Sequence, residues 1–297
     1  MQKVRTLSFI YFDGMLKLAR KISLFLKIIT EGFIPYKKDS LNKIKRERAN
    51  IDTNKIYVCI HEWGKYPIVR EKNVKGIKRF QCGLQYQLER FSRNFHTQDI
   101  DITLTMSDAD CFKDWEVIAG KYDRLIQVSN TGLDFSGFSS FYEQIKSKSN
   151  SYVILTNSSI NKEIHPFLDS YINYMNENKD IGLLGISSNS RFYHTIAKWN
   201  FNPHIQSFFI LTTIDVLKEI VRLNGNVFPG ANETNKHLLI RKGEVGISSL
   251  ALRLGYNLGV VLPDGNVVKF NYNDYPLPKG DLRKNFQNPN AIYPVKQ

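Results

Sequence analysis

From residue 56 onward the chain alternates short apolar runs with stretches of helical periodicity. The runs at 56–60, 102–106, 124–128, 152–156 and 181–186 are rich in Ile, Val and Leu and bounded by polar residues, which predicts strands. The stretches 79–94, 139–147 and 166–178 predict helices between them. Strand, helix and strand in succession at this spacing predict an α/β domain on a mostly parallel sheet, with helices on both faces. No internal repeat interrupts the pattern.

The first fifty residues follow a different rule. Between residues 7 and 34, Asp13, Lys17, Arg20, Lys27 and Glu31 recur at three-, four- and seven-residue spacings. Ile10, Met15, Leu18, Ile22, Phe25, Leu26 and Ile29 fill the other faces, the pattern of an amphipathic helix. No uncharged stretch approaches the ~20 apolar residues of a membrane span, and no small-residue cleavage site of a secretory signal follows. The run from Lys37 to Arg48 reads as a solvated linker. The division expected is therefore 1–50 as basic helix and linker, and 51–297 as the body.

Charge sharpens this division. The chain of 297 residues carries a formal charge of +13. Residues 1–50 hold twelve Lys and Arg against four acids, so eight of those charges lie in the appendage. A basic helix of this kind suits an anionic membrane surface, where each Lys or Arg contributes about 1 kcal/mol. Packing on the body or on a second subunit explains it equally well. Nucleic acid is the weaker partner, because the stretch lacks interleaved aromatics and a reader motif. The cysteines Cys59, Cys82 and Cys111 lie far apart without a C-x-x-C pair, which fits reduced thiols in a cytoplasmic protein.

In a parallel sheet the ligand crevice lies outside the carboxyl ends of the strands. The residues there are His61, Glu62, Trp63 and Gly64 after the first strand, and Ser107, Asp108, Ala109 and Asp110 after the second. The segment from Ser129 to Phe135 follows the third, and Asn157, Ser158 and Ser159 follow the fourth. A single small or polar residue suffices to turn a chain. Their recurrence after four strands in turn is what suggests a crevice.

The order of these loops is similar to that of inverting family 2 glycosyltransferases. Asn130-x-Gly132-x-Asp134-Phe135, Asn157-Ser158-Ser159, His204-x-Gln206-Ser207 and Glu244-x-Gly246-x-Ser248 resemble the motif set of rhamnan synthesis protein F and related bacterial polysaccharide glycosyltransferases. The resemblance runs from about Ile56 to Asp264 and implies a Rossmann-like fold of the GT-A type. It also implies transfer of a hexosyl or deoxyhexosyl group from a nucleoside-diphosphate sugar to a growing polysaccharide or lipopolysaccharide. The glycan or lipid-linked acceptor would be met at the cytoplasmic face of the membrane.

By that resemblance Asp108 accepts hydrogen bonds from the donor's base or ribose, although Asp108 or Asp110 would equally cap a turn. Asn130 and Gly132 bend the backbone near the donor, since both tolerate positive φ, and an ordinary turn explains them as well. Asp134 binds a ribose or sugar hydroxyl, and Asn157 and Ser158 belong to the donor motif. His204 and Gln206 are expected on one side of a strand continuing through 208–211 and would bind the acceptor, a structural histidine being the alternative. Glu244 takes the place of the catalytic base that removes the acceptor hydroxyl's proton, or it compensates a helix dipole. The second acid of the family's pair is Val245 here.

The fourth-strand motif departs from the family. Metal-dependent relatives carry Asp-x-Asp there, so that Mg²⁺ or Mn²⁺ bridges the diphosphate. Asn157-Ser158-Ser159 offers only an amide and hydroxyls, weak ligands for a hard divalent ion, so no metal ligand is assigned while Mg²⁺ or Mn²⁺ stays open. Without a metal the diphosphate needs other donors, and Arg191, Lys198 and Arg241 are candidates. Two other classes stay open on the same residues: a catalytically silent sugar-nucleotide or glycan-binding module, and a membrane-peripheral scaffold recruited through residues 1–50.

Overall fold

The computed structural model describes residues 22–23, 46–53, 55–92, 97–191 and 201–296. The chain divides into two compact units, Met1–Ser40 and Leu41–Gln297. Of the first unit only Ile22 and Ser23 are described, both helical, so the amphipathic helix expected between residues 7 and 34 otherwise lies outside the described residues. Among the described residues no helix is long and apolar enough to cross a membrane.

The second unit is built on an eight-stranded sheet. Its strands are β1 (Lys55–Trp63), β4 (Asp99–Ser107), β5 (Arg124–Val128), β6 (Tyr152–Asn157), β7 (Ile181–Gly185), β10 (Phe209–Thr213), β11 (Asn257–Val261) and β12 (Val267–Phe270). They lie in the order β12-β11-β7-β10-β6-β1-β4-β5. β1 is parallel to β4 and β6, β4 to β5, and β11 to β7. β10 runs antiparallel between β6 and β7, and β12 is an antiparallel edge. The mostly parallel α/β class expected from the pattern is what is observed.

Strand alternation explains why both faces are covered. On β1, Ile56, Val58 and Ile60 enter one hydrophobic core while Tyr57 and Cys59 enter the other. The first core receives helix α1 (Leu84–Arg90) and α4 (Leu168–Glu177). The second receives α3 (Asp134–Ile145), α5 (Ile214–Leu223) and α7 (Gly246–Arg253). A fully buried Ile or Leu contributes about 1.5–3 kcal/mol, so central strands buried on both sides carry most of the driving force. Two short helices complete the set, α2 (Trp115–Ile118) and α6 (Lys236–Leu239).

Two small antiparallel ribbons stand outside the sheet: β2 (Arg70–Lys72) with β3 (Phe80–Cys82), and β8 (Ser188–Arg191) with β9 (Phe201–Ile205). The first corrects the helix expected over 79–94. Residues 80–82 pair with β2, and α1 begins only after Gly83, whose φ of 148° and approach to the Ile68 carbonyl leave no room for a side chain. The second corrects the continuous strand expected through 204–211. His204 belongs to β9, the chain turns at Gln206–Phe208, and the apolar run starts anew as β10.

The basic run ending at Arg48 is not solvated throughout. Arg48 is buried, and its guanidinium donates to the carbonyls of Ile181, Met175 and Asn178. Arg46 pairs with Glu219 and lies over the Tyr256 ring. These two residues therefore belong to the body by their contacts. All three cysteines are unpaired thiols, Cys59 and Cys82 buried and Cys111 exposed.

Candidate functional site

The carboxyl ends of β1, β4, β5 and β6 come together at one end of the sheet, as the parallel register requires. Around them the polar residues form a connected network. Ser158 N donates to the His61 carbonyl at 3.3 Å, joining the tips of β6 and β1. Ser107 Oγ donates to Asn130 Oδ1 at 3.3 Å, joining β4 to the turn after β5. His61 Nδ1 lies 3.0 Å from Thr105 Oγ1, and burial pushes its imidazole below its ordinary value.

Asp108 does not cap the turn it opens. It sits in the left-handed region at φ 50°, and its carboxylate reaches back across the sheet. Trp63 Nε1 donates to Oδ2 at 2.7 Å and Lys65 Nζ lies 3.1 Å away, and together they hold the carboxyl below its ordinary range. A carboxylate offers about four lone-pair sites, so room remains for a further donor. Trp63 meets Tyr66 edge to face at 4.7 Å, and Arg70 lies over the Tyr66 ring. Aromatic and charged groups thus gather beside Asp108.

The turn after β5 is built differently from expectation. Neither Asn130 nor Gly132 has positive φ; the residue that does is Leu133, at φ 47° and ψ −135°. Gly132 is required for another reason. Its N–H donates to Ser136 Oγ at 2.9 Å, and a Cβ there would lie 2.5 Å from that oxygen. A bulky residue held in this region costs about 1–3 kcal/mol, and Leu133 immediately precedes Asp134. Asp134 opens α3, where its charge also suits the helix dipole. Its Oδ2 accepts from Asn157 Nδ2.

Asn157 closes its own turn through Oδ1, which accepts from Ser159 N at 2.9 Å. The two serines are held from the β2 ribbon. Arg70 donates to Ser158 Oγ at 2.6 Å and to Glu62 Oε2 at 3.1 Å, and Lys72 donates to Ser159 Oγ. Burial pushes the Glu62 carboxyl up, against the pull of Arg70, and pushes the Lys72 ammonium down. Arg70 and Lys72 were not among the expected cations. Arg191 is exposed at the end of β8, Arg241 lies in the turn before α7, and Lys198 falls outside the described residues. The signal for the missed pair is the alternation Arg70-Glu71-Lys72, which puts both cations on one side of a strand.

A divalent cation does not fit this donor set. The motif offers one amide and two hydroxyls, the hydroxyls already face a guanidinium and an ammonium, and Asp134 is the carboxylate bonded to it. Each unit charge pair at 4 Å repels by about 4 kcal/mol at an effective dielectric of 20. A metal seated here would meet two such heads.

Glu244 reaches the same end of the sheet because β10 runs backward. It lies in a π-turn, Ile240–Val245, just before α7. Gly243 lets that turn pass against the ring of Phe135, since a Cβ would lie 2.7 Å from its Cζ. The Glu244 side chain, 15% exposed, does not cap its own helix. Its Oε2 accepts from Ser207 N at 2.9 Å and Ser207 Oγ at 2.8 Å, and Oε1 lies 3.3 Å from His204 Nε2. Burial alone would raise its pKa, but His204 and Ser207 outweigh burial and hold it below 4.5. His204 is itself buried, and its Nδ1 donates to the Asn202 carbonyl at 2.7 Å. Gln206 is buried with Oε1 lacking a protein partner. Asn157 N donates to the Phe208 carbonyl at 3.3 Å, so Ser207 and its bound Glu244 adjoin the β6 motif.

Fold and site together define a Rossmann-like α/β protein with a cluster of hydrogen-bonded polar residues at the carboxyl edge of its sheet. The sequence model of the family described as rhamnan synthesis protein F matches residues 105–224, which includes Asp108, Asn130 to Asp134, Asn157 to Ser159, His204 and Gln206 but stops short of Glu244. No curated protein matches the chain. Among solved structures, CMP:2-keto-3-deoxy-manno-octonic acid synthetase complexed with CTP is 12% identical. That alignment covers 57% of this chain and 78% of that one at a TM-score of 0.35, too low to carry an argument.

Proposed function

We propose that the protein is a GT-A glycosyltransferase of polysaccharide or lipopolysaccharide assembly, moving a hexosyl or deoxyhexosyl group from a nucleoside-diphosphate sugar to a glycan or lipid-linked acceptor. The observation that carries this reading is the adjacency of two polar groups of different origin. The donor-type cluster of Asp134 and Asn157 sits at the end of β6, and Glu244, an ionisable carboxylate held by Ser207, adjoins it through the Asn157 to Phe208 hydrogen bond. The family match over residues 105–224 supports the same reading.

The chemistry is a displacement at the anomeric carbon. A bond forms from the acceptor oxygen to that carbon as the bond to the diphosphate oxygen breaks. The electron pair leaves with the nucleoside diphosphate, the acceptor's proton passes to Glu244, and configuration inverts. Ser207 and His204 favour the ionised form of the carboxyl, the form in which a general base takes up a proton. In this reading Asp108, with Asn130, Gly132, Asp134 and Ser158, lines the nucleotide and sugar side. Gln206 offers its unpartnered carbonyl oxygen to acceptor hydroxyls, and His204, with its ring nitrogens on Asn202 and Glu244, positions the base beside them. The protein works at the cytoplasmic face of the membrane, and the basic segment that meets anionic lipid ends before Arg46.

The test is a screen of nucleoside-diphosphate sugars by thermal shift, since a ligand specific to the folded state raises its apparent stability, followed by nucleotide release with the stabilising donor. Glu244→Gln is expected to keep the shift and lose about 10²–10⁴-fold in turnover. One observation favours the silent binding module: both Glu244 oxygens already have protein partners. A donor that binds wild type without any turnover would establish that alternative, and no shift with any donor would remove the nucleotide-sugar reading.

A further inference from the structure

We propose that Arg70 and Lys72, on the β2 strand, form a metal-independent clamp for the donor's diphosphate, taking the place that a divalent cation holds in metal-dependent members of this fold class. The inference rests on the donor-site reading above and adds to it the groups that neutralise the leaving phosphate.

The argument starts from the motif itself. Where carboxylates would collect a cation, Asn157, Ser158 and Ser159 present neutral oxygens. Positive heads stand there instead, Arg70 on Ser158 at 2.6 Å and Lys72 on Ser159. Two cations thus stand beside the carboxylates Glu62 and Asp134, and the spare N–H donors of Arg70 and Lys72 are what an anion can take. Alternation along β2 sends Arg70 and Lys72 to one side and the exposed Glu71 to the other.

The two cations differ in what they still lack. Arg70 is paired with buried Glu62, which fixes its plane, and a guanidinium has five N–H donors of which these contacts use few. Such a fork matches phosphate oxygens two at a time. Lys72 has no carboxylate within ion-pair distance among the described residues, and Ser159 hydroxyl is its hydrogen-bond partner. Its ammonium is desolvated, with Asp134 and Arg283 in electrostatic reach. A partly desolvated ammonium with no carboxylate at ion-pair distance gains when an anion reaches it, and an arriving diphosphate supplies that anion. Arg283, tied to Asp281 and lying over the Phe208 ring, is a further cation in electrostatic reach of Lys72. A basic clamp of this kind stabilises charge as it develops on the leaving group, without proton transfer.

The experiment is calorimetric titration of the full chain with UDP, GDP, dTDP and CDP and with the matching nucleosides, in EDTA and in Mn²⁺. Wild type is expected to bind one diphosphate in EDTA, with less than about threefold change on adding Mn²⁺. Lys72→Gln should weaken that diphosphate about tenfold or more and leave its nucleoside within about threefold; Lys72→Arg should restore most of the loss. Arg70→Lys, which keeps charge with Glu62 but removes the fork, should show the same selectivity if folded by circular dichroism. Binding that requires Mn²⁺, or Lys72→Gln that leaves the diphosphate unaffected or weakens diphosphate and nucleoside alike, overturns the clamp while leaving the donor site standing. No nucleotide bound by wild type in either condition overturns both.

Discussion

Glu244 shows how much one carboxylate's neighbours decide. Ser207 gives it two hydrogen bonds and His204 a third contact, enough to reverse the effect of burial. The sign follows. A carboxyl whose folded pKa is lowered stabilises the fold above its ordinary value of 4.5 and loses that contribution as pH falls through the lowered one. Wild type is therefore expected to exceed Glu244→Gln in stability by about 1–2 kcal/mol at pH 7, with the gap closing below about pH 4.5. Denaturant melts of both proteins from pH 3 to 8 measure it, and a gap independent of pH would contradict this account. None of these contacts was legible in the sequence, where Glu244 reads as a catalytic base by resemblance, with a helix-dipole residue as the alternative. Its partner Ser207 is 37 positions away, and periodicity carries no information about contacts at that separation.

At the scale of elements, the strands were the readable part. Five runs fell within or next to the strands observed, four of them because a strand buried on both faces leaves a continuous apolar signature, the fifth being the exposed edge strand β5. The ribbons were not readable. β2 and β3 are three residues each, partly polar, and owe their form to pairing with each other. Yet the first ribbon delivers Arg70 to Glu62, whose carboxylate is 1% exposed. Removing one partner of a buried pair strands the other, at about 3–5 kcal/mol. Arg70→Ala is expected to lose that much in chemical denaturation, and the double variant Glu62→Gln with Arg70→Gln to lose much less. Equal losses in the two proteins would mean that the pair is not what holds the ribbon.

For the whole molecule, the question is where the folded body begins. Sequence placed the boundary after residue 50 because charge density drops there. The structure gives a second unit starting at Leu41, and Arg46 and Arg48 are engaged with residues far along the chain. Charge was a poor guide here because Arg48 spends its guanidinium on three backbone carbonyls instead of on water. A chain beginning at Leu41 is expected to melt cooperatively. One beginning at Ile51 should lose about 3 kcal/mol or more, hydrogen bonds to a charged group being worth about 1.5–3 kcal/mol each. Differential scanning calorimetry of the two truncations separates the boundaries, and identical melting temperatures would restore the later one.

The reversed strand β10 has a consequence for how such a protein can diversify. Its neighbours β6 and β7 present their carboxyl ends on this side, whereas β10 presents its beginning, so the segment just before it, from the β8–β9 ribbon through Ser207, reaches the polar cluster without being woven into the main sheet. Insertions there leave the eight-strand register alone, while a single residue added within fully buried β10 would exchange its two faces. Change on the Ser207 side of the polar cluster can therefore accumulate in one ribbon while the strand tips that carry Asn157 and Asp108 stay fixed. A lineage can thus reshape one side of the cluster without disturbing the sheet that carries the other.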